Sequence, residues 1–435
     1  MSRRNLIWIA VILAIALLFY HLPRMAAEPD SVERSYGPLL EVDALIHQKY
    51  VEPVTDERLV EGAIRGMMRQ LDPYSGYIGP AEMESFRRGT RGSYIGIGVE
   101  TGMHHGRLTI IAPIEDGPAM RAGVRAGDAI LAVDGQPTDD LTVSDVSELL
   151  RGPAGSNVEL TVRHRGNAEP ERIAVTRGPV SIHVVKGYRH LGPGRWDYMI
   201  DRAAGIAYVR VASFQGNTID DFANVLDQLR GVGVRALILD LRFNAGGLIS
   251  HAIEMVDRFI ADGIIVSTVT RRQAMRDYYA HEEGVLQNLE LVVLVNGASA
   301  SAAEIVAGSL QAHGRATVVG SRSFGKGVVQ HVIDLRDRSA ALRLTVSYYK
   351  LPDGRIIHKT PANAATNLWG IIPDVDVLLT DVEIEAVQES RRRVDAAVSR
   401  PTTQRTTDSR TAPPPDAPTI PIDRQLAKAL KIATQ

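Results

Sequence analysis

The hydrophobic pattern along the chain changes character four times. It opens on an unbroken apolar run, residues 6–20 (LIWIAVILAIALLFY), behind Ser2-Arg3-Arg4-Asn5. A short basic leader followed by an apolar stretch predicts a secretory signal or a signal anchor. The run is at the short end for crossing a bilayer, which takes about 20 apolar residues. Met25-Ala26-Ala27 puts a methionine where cleavage needs a small residue. The expectation for residues 1–27 is therefore an uncleaved anchor, its positive end cytoplasmic and the rest of the chain outside. Between 31 and 68 the apolar residues recur at helical spacing: Leu39, Leu40, Val42, Leu45, Ile46, then Leu59, Ile64, Met67 and Met68. This predicts a small helical N-terminal domain over 31–92, its helix broken at Leu71-Asp72-Pro73-Tyr74-Ser75.

From 93 to 178 the pattern becomes short strands punctuated by glycine. Ile95-Gly96-Ile97-Gly98-Val99 opens it, and strand-like segments at 108–111, 130–135 and 158–163 flank one helix at 144–150. That is a small β domain. After Gly178 strands and helices alternate. Strands are expected at 206–211, 236–241, 291–295 and 317–319, with helices at 219–229, 250–260 and 301–312 between them. Such alternation argues an α/β domain, 179–395, with a largely parallel sheet, to which residues 31–92 contribute. Residues 400–421 are rich in Thr, Pro, Arg and Asp, and 396–435 are expected to form a disordered Pro/Thr-rich tail, although 422–432 could make a short amphipathic helix.

Length and composition narrow the function classes. A chain of 435 residues calls for two or three domains. A formal net charge of −2 gives no electrostatic case for nucleic acid. The absence of cysteine excludes disulfides, thiolate metal sites and cysteine nucleophiles together.

Candidate chemistry gathers at two loops of the α/β domain. The strand LVVLVN runs into Asn296-Gly297-Ala298-Ser299-Ala300-Ser301-Ala302-Ala303-Glu304. A strand turning through small residues into a helix presents a side chain at the helix N-terminus, beside unpaired N–H groups of the kind an oxyanion hole needs. Taken alone, a serine here is better read as a helix cap. Ser299 is a candidate cap, and Ser301 with Glu304 has the spacing of a capping box. The second loop, Ser323-Phe324-Gly325-Lys326-Gly327, holds a lysine between glycines at a strand end. Such a tripeptide is most often an exposed turn, and the glycines that precede the lysine of a phosphate-binding loop are missing.

Together the two loops resemble the C-terminal processing (tail-specific) peptidases. Lys326 stands 25 residues after Ser301, and Gln330 four after Lys326, as in that family. Asp240-Leu241-Arg242-Phe243-Asn244-Ala245-Gly246-Gly247 resembles its other signature. Alanine stands at 245 where the family usually has proline, and at 303 where serine is common; neither change removes a reacting group. Residues 63–75 and 348–374 resemble its N-terminal helix and C-terminal strands, so the likeness spans about 35–380, and residues 93–178 are similar to a PDZ domain.

The resemblance implies a multidomain α/β protein: a crotonase/ClpP-like protease core, an inserted PDZ domain and the small helical domain. It implies Ser301 as nucleophile, Lys326 as base, Gln330 orienting the lysine, and the N–H groups of Gly247 and Ala302 as the oxyanion hole. Gly96, Ile97 and Gly98 would be the carboxylate-binding loop, with pockets along the helix around Val146 and Leu149 selecting a peptide's last side chain. Neither cofactor nor metal is implied. The implied partners are protein or peptide substrates held by their C-termini and, through the leader, a membrane. A homo-oligomer and an adaptor protein stay open. A free lysine titrates near 10.4. Serving as a base near pH 7 therefore takes about 4.6 kcal/mol of bias against its charged form. A Ser-His-Asp protease is the wrong alternative, since no Gly-x-Ser-Gly-Gly occurs and the candidate nucleophile follows the PDZ-like region. A dead scaffold would have lost Ser301, Lys326 or Gln330, and an exported PDZ-bearing chain is a poor place for acyl-CoA chemistry.

Overall fold

The computed structural model describes residues 29–396 and 423–435, apart from 92, 105, 115, 193–194, 283–285, 287–288 and 337. The expected anchor lies outside them, and among the described residues no helix is long and apolar enough to cross a membrane. The chain divides into two compact units, Met1–Gly79 and Pro80–Gln435.

The first unit holds helices α1 (Pro29–Lys49) and α2 (Asp56–Met68) and a short strand β1 (Gly76–Ile78). Thr55 caps α2 by accepting the Arg58 N–H, and Asp56 and Glu57 in its first turn suit the helix dipole. Beyond α2 the Asp72 carboxylate accepts from the N–H groups of Tyr74 and Ser75 at 2.8 and 2.9 Å. This Asx turn stops the helix where Asp-Pro predicted a break. The apolar period called the helices correctly but not their burial, for Leu39, Leu40, Val42 and Leu45 are exposed. The helical domain is also shorter than expected: residues 80–91 form helix α3 (Pro80–Arg91) of the second unit.

In the second unit, β2 (Ser93–Gly96) pairs antiparallel with β9 (Gly178–Ser181), closing the base of a β domain. Its sheet runs β3 (Val99–His104), β4 (Arg107–Pro113), β5 (Ala129–Val133), β7 (Asn157–Arg163), β8 (Glu171–Thr176), with β6 (Gln136–Pro137) beside β5. A short helix α4 (Pro118–Arg121) and the helix α5 (Val143–Leu149) complete it. Alternation along β7 turns Val158, Leu160 and Val162 inward, onto a separate core with Ile97, Ile110, Val146 and Val175.

The remainder is built on a sheet in the order β10 (Val185–Lys186), β14 (Ile206–Val211), β15 (Ala236–Asp240), β18 (Glu290–Val295), β19 (Thr317–Gly320), β22 (Val375–Asp376). Strands β14 to β22 are parallel. Their predominantly apolar sequences follow from burial on both faces. Helices α6 (Thr218–Arg230), α7 (Ile249–Asp257) and α8 (Ala302–Ala312) cover one face. A hairpin of β11 (Arg189–Gly192) and β12 (Arg195–Asp197) and a strand β13 (Met199–Asp201) precede β14. Sequence reading missed a second, antiparallel sheet in the order β20 (Val328–Asp334), β21 (Ala341–Lys350), β16 (Ile264–Thr270), β17 (Met275–Tyr279). A short helix α9 (Pro361–Thr366) follows it, and α10 (Asp381–Ala396) comes after the last parallel strand.

The tail expected over 396–435 is corrected at its end. Residues 424–433 form α11 (Arg424–Ala433), with Leu426, Ala429 and Leu430 packed on Tyr208, Ile238, Val292 and Leu294. The reason is amphipathic spacing: those apolar positions fall on one side of the helix and cover the second face of the parallel sheet. Residues 397–422 lie outside the described ones.

Candidate active site

Strand β18 delivers the chain to the loop before α8. Asn296 turns it, its side-chain oxygen accepting from the N–H groups of Phe243 (2.9 Å) and Ala298 (3.2 Å). Ser299 is not the helix cap. Its buried hydroxyl accepts from Asn296 N–H and donates to the Leu241 carbonyl, tying two strand ends together. Ser301 occupies the N-cap with φ 56° and ψ −116°, a backbone state a non-glycine residue holds at a cost of about 1–3 kcal/mol. The Glu304 N–H lies 2.9 Å from the Ser301 carbonyl, and the Glu304 side chain reaches back to the Ser301 N–H, the reciprocal half of a capping box.

Glu304 does more than the capping-box spacing foretold. Its fully buried carboxylate accepts from Ser301 N–H at 2.8 Å, Ser323 Oγ at 2.5 Å, Gly325 N–H at 2.6 Å and Lys326 N–H at 2.9 Å. Burial pushes its carboxyl above the usual range, and those four donors pull the other way. The same carboxylate oxygen thus holds the backbones of Ser301 and Lys326. A second anchor joins them: the Tyr349 hydroxyl donates to the Lys326 carbonyl at 2.8 Å and lies 3.3 Å from the Ser301 carbonyl. Lys326 Nζ donates to Gln330 Oε1 at 2.9 Å, both side chains half-buried at the start of β20. One carboxylate thus holds Ser301 and Lys326 together, and Gln330 joins them through Lys326 Nζ. Neither Tyr349 nor the wider reach of Glu304 was singled out from the sequence.

The turn after β15 closes on Ser301. A Cβ on Gly246 (φ 98°) would stand 2.7 Å from Ser301 Cβ, and one on Gly247 (φ 143°) 2.0 Å from the Phe214 carbonyl oxygen. Only glycine fits either position. Asn244 fixes the turn, taking the Gly246 N–H on its side-chain oxygen and donating to the Val211 carbonyl, while its own carbonyl accepts from Ala300 N–H. Among the described residues no partner takes the N–H of Gly247 or of Ala302, the two groups expected to receive an oxyanion. Turn and helix N-terminus thus meet beside the serine.

Behind the turn stands a buried ionic cluster. Asp240 and Arg242 are 0% and 2% exposed. Burial alone would raise the Asp240 carboxyl; the guanidinium charges of Arg242 and Arg391, with hydrogen bonds from Arg242 and Tyr208, hold it well below the usual carboxylate range.

In the β domain, Gly96, Ile97 and Gly98 border a groove of about 270 Å³ that continues along Val99 and Thr101 of β3, an edge strand. The carbonyls of Ile97 and Gly98 are turned inward, accepting from Ala119 and Ile114 N–H. The opposite wall differs from expectation. Val146 is fully buried in the domain core, so Ser147, Leu150 and Arg151 line the groove instead, together with Ser85 and Ile182. Leu150, one helical turn beyond Val146 and on the same face, belongs to the core and also reaches the groove, while Ser147 and Arg151 flank it at the rim.

Comparison with known proteins bears on this geometry. Residues 205–377 match the model of peptidase family S41, 109–164 a PDZ domain, and 28–81 the activating protease CtpB N-terminal domain. A carboxy-terminal-processing protease of Bartonella bacilliformis is 36% identical over 338 residues, 76% of this chain and 72% of that one. The chloroplastic C-terminal processing peptidase of Tetradesmus obliquus is 34% identical over 349 residues, again 76% and 72%. A solved photosystem II D1 C-terminal processing protease is 32% identical, covering 77% of this chain and 86% of its own at a TM-score of 0.44. The chain belongs to peptidase family S41. It is a C-terminal processing serine peptidase with a PDZ domain.

Proposed function

We propose that Ser301 is the nucleophile, Lys326 its general base, Gln330 the residue that holds the base, and Gly247 and Ala302 the oxyanion donors. The observation that carries this reading is the Lys326 Nζ to Gln330 Oε1 bond of 2.9 Å, made beside a serine held in strained backbone. In the reaction, neutral Lys326 takes the Ser301 Oγ proton as Oγ attacks the scissile carbonyl. The two N–H groups receive the developing oxyanion. The lysine then gives its proton to the leaving amine; once neutral again it deprotonates a water that attacks the acyl carbonyl, and it returns that proton to Ser301 Oγ as the ester bond breaks. A neutral amide suits the role of Gln330, because it fixes Nζ without adding a negative charge that would favour the ammonium.

Substrates are held by their C-termini. With the Ile97 and Gly98 carbonyls turned inward, the N–H groups of the 96–98 loop would take a terminal carboxylate, and the open edge of β3 an added strand. They are envelope proteins, reached by a catalytic part that the leader anchors outside the cytoplasmic membrane.

The test is turnover of a tail peptide by the wild type, Lys326→Ala, Lys326→Arg and Gln330→Glu, with the peptide as free acid and as C-terminal amide. Both lysine variants are expected to stay folded and lose activity, since arginine does not deprotonate. Gln330→Glu should move the rising limb of kcat/KM to higher pH. The amide should be cut more slowly than the acid. Near-normal turnover by Lys326→Arg would require another base, and equal rates on acid and amide would remove the carboxylate-reading loop.

A further inference from the structure

Arg242 stands two residues beyond the end of β15, at the root of the 243–247 turn, and all five of its guanidinium N–H donors have acceptors. Nε and one Nη2 donor go to Asp240, two residues back (2.7–3.2 Å). The others go to the far end of the chain. Asp423 takes Nη1 and Nη2 in a two-pronged pair, both at 2.8 Å, and Gln425 Oε1 takes Nη1 at 3.1 Å. Asp423 is also the N-cap of α11, accepting the Leu426 N–H at 3.1 Å, and Gln425 Nε2 donates to the Val377 carbonyl at 2.8 Å. The helix start is thereby fixed to the sheet, to itself and to Arg242 at once. Arg391 closes the other side, donating to the Arg242 carbonyl at 2.9 Å and to Asp240 at 2.6 Å, its guanidinium 4.9 Å from the centre of the Phe243 ring. Two carboxylates, Asp240 and Asp423, thus face two guanidiniums, Arg242 and Arg391. Without Asp423 the cluster keeps an uncompensated buried positive charge at the root of the turn.

We propose that Asp423 is a positioning residue for proteolysis: through Arg242, the α11 helix holds the 243–247 turn in the geometry that faces Ser301. The inference rests on the reading of Gly247 as an oxyanion donor. Phe243 stands at φ 64°, so the chain reverses sharply one residue after the clasped arginine. A slackened Arg242 lets that reversal shift and carries Gly246 and Gly247 with it. Displacements of about 1 Å at such a site cost about 100-fold in rate.

The experiment uses the full chain with Asp423→Asn, Asp423→Glu, Gln425→Ala and, as control, Leu430→Ala, which removes apolar cover from the sheet and leaves the clasp intact. Each is assayed well below its own Tm on a tail peptide, and amide hydrogen exchange over 243–247 is followed with Ser301→Ala added to silence cleavage. Asp423→Asn is expected to lower kcat about 10- to 100-fold with KM within about twofold, and to speed exchange in the turn. Asp423→Glu should recover part of the rate. Gln425→Ala, which keeps both carboxylates, should move the same way less far, and it carries the test if Asp423→Asn does not fold. Leu430→Ala should lower Tm alone. Unchanged exchange in Asp423→Asn, or an equal kcat loss in Leu430→Ala, overturns the clasp. Faster exchange with unchanged kcat upholds the clasp and removes Gly247 from the oxyanion hole instead.

Discussion

Glu304 shows how much one buried side chain carries. Two donors converge on each of its oxygens, and no orientation of an amide satisfies all four, because its NH2 end would face two donors. Glu304→Gln is expected to cost about 2–4 kcal/mol, one or two unsatisfied buried donors. It should also lower kcat by more than KM changes, since the Ser301 and Lys326 backbones hang on one oxygen. Thermal unfolding with steady-state kinetics checks both, and unchanged kcat in a folded variant would separate the carboxylate from the chemistry. The sequence spoke for part of this. The Ser301–Glu304 spacing was visible as a capping box, because that interaction is local. Contacts to Ser323, Gly325 and Lys326 were not, because they join segments brought together only by the sheet. Ser299 misled for the same reason: its hydroxyl spans strand ends instead of capping the nearer helix.

Among the elements, the parallel strands were the most legible. Strands buried on both faces have to be continuous apolar blocks, and β14, β15 and β18 appear in the sequence almost to the residue. Strands β16, β17 and β20 escape a reading of the sequence, because mixed exposure leaves stretches such as VVQHVID without a clean period. Helix α10 brings a prediction of its own. Arg391 reaches from it to Asp240, whose folded titration point is depressed. A depressed carboxyl stabilises the fold above its unfolded value, near 3.9, and that stabilisation is lost as pH falls through the folded value. The Tm difference between wild type and Arg391→Gln should therefore be flat above about pH 5 and narrow only below about pH 4. A difference that already closes between pH 7 and 5 would place its origin in another group.

For the whole molecule, the alternation of elements and the glycine-punctuated region together outlined a protease core carrying a PDZ domain, but the borders moved. Residues 80–91 joined the larger unit, and Ser85 lines the groove. The end of the expected tail became the cover of the sheet, its amphipathic spacing outweighed in sequence by the Pro/Thr-rich stretch before it. The PDZ domain has its own core and its ends meet in the β2–β9 pair, so excising 93–178 has a physical basis as an experiment. We expect excision to change kcat on a short peptide as well as KM, as a domain that restrains the protease would. An unchanged kcat would leave the domain a tether. Ser301 has a consequence at this scale too. At φ 56° and ψ −116° it is a serine in a backbone state that glycine holds freely. Mutation and selection therefore pull in opposite directions there: the change that relaxes the loop is the change that removes the hydroxyl. Lineages released from the need to cut should drift towards glycine at this position, becoming sturdier as they fall silent.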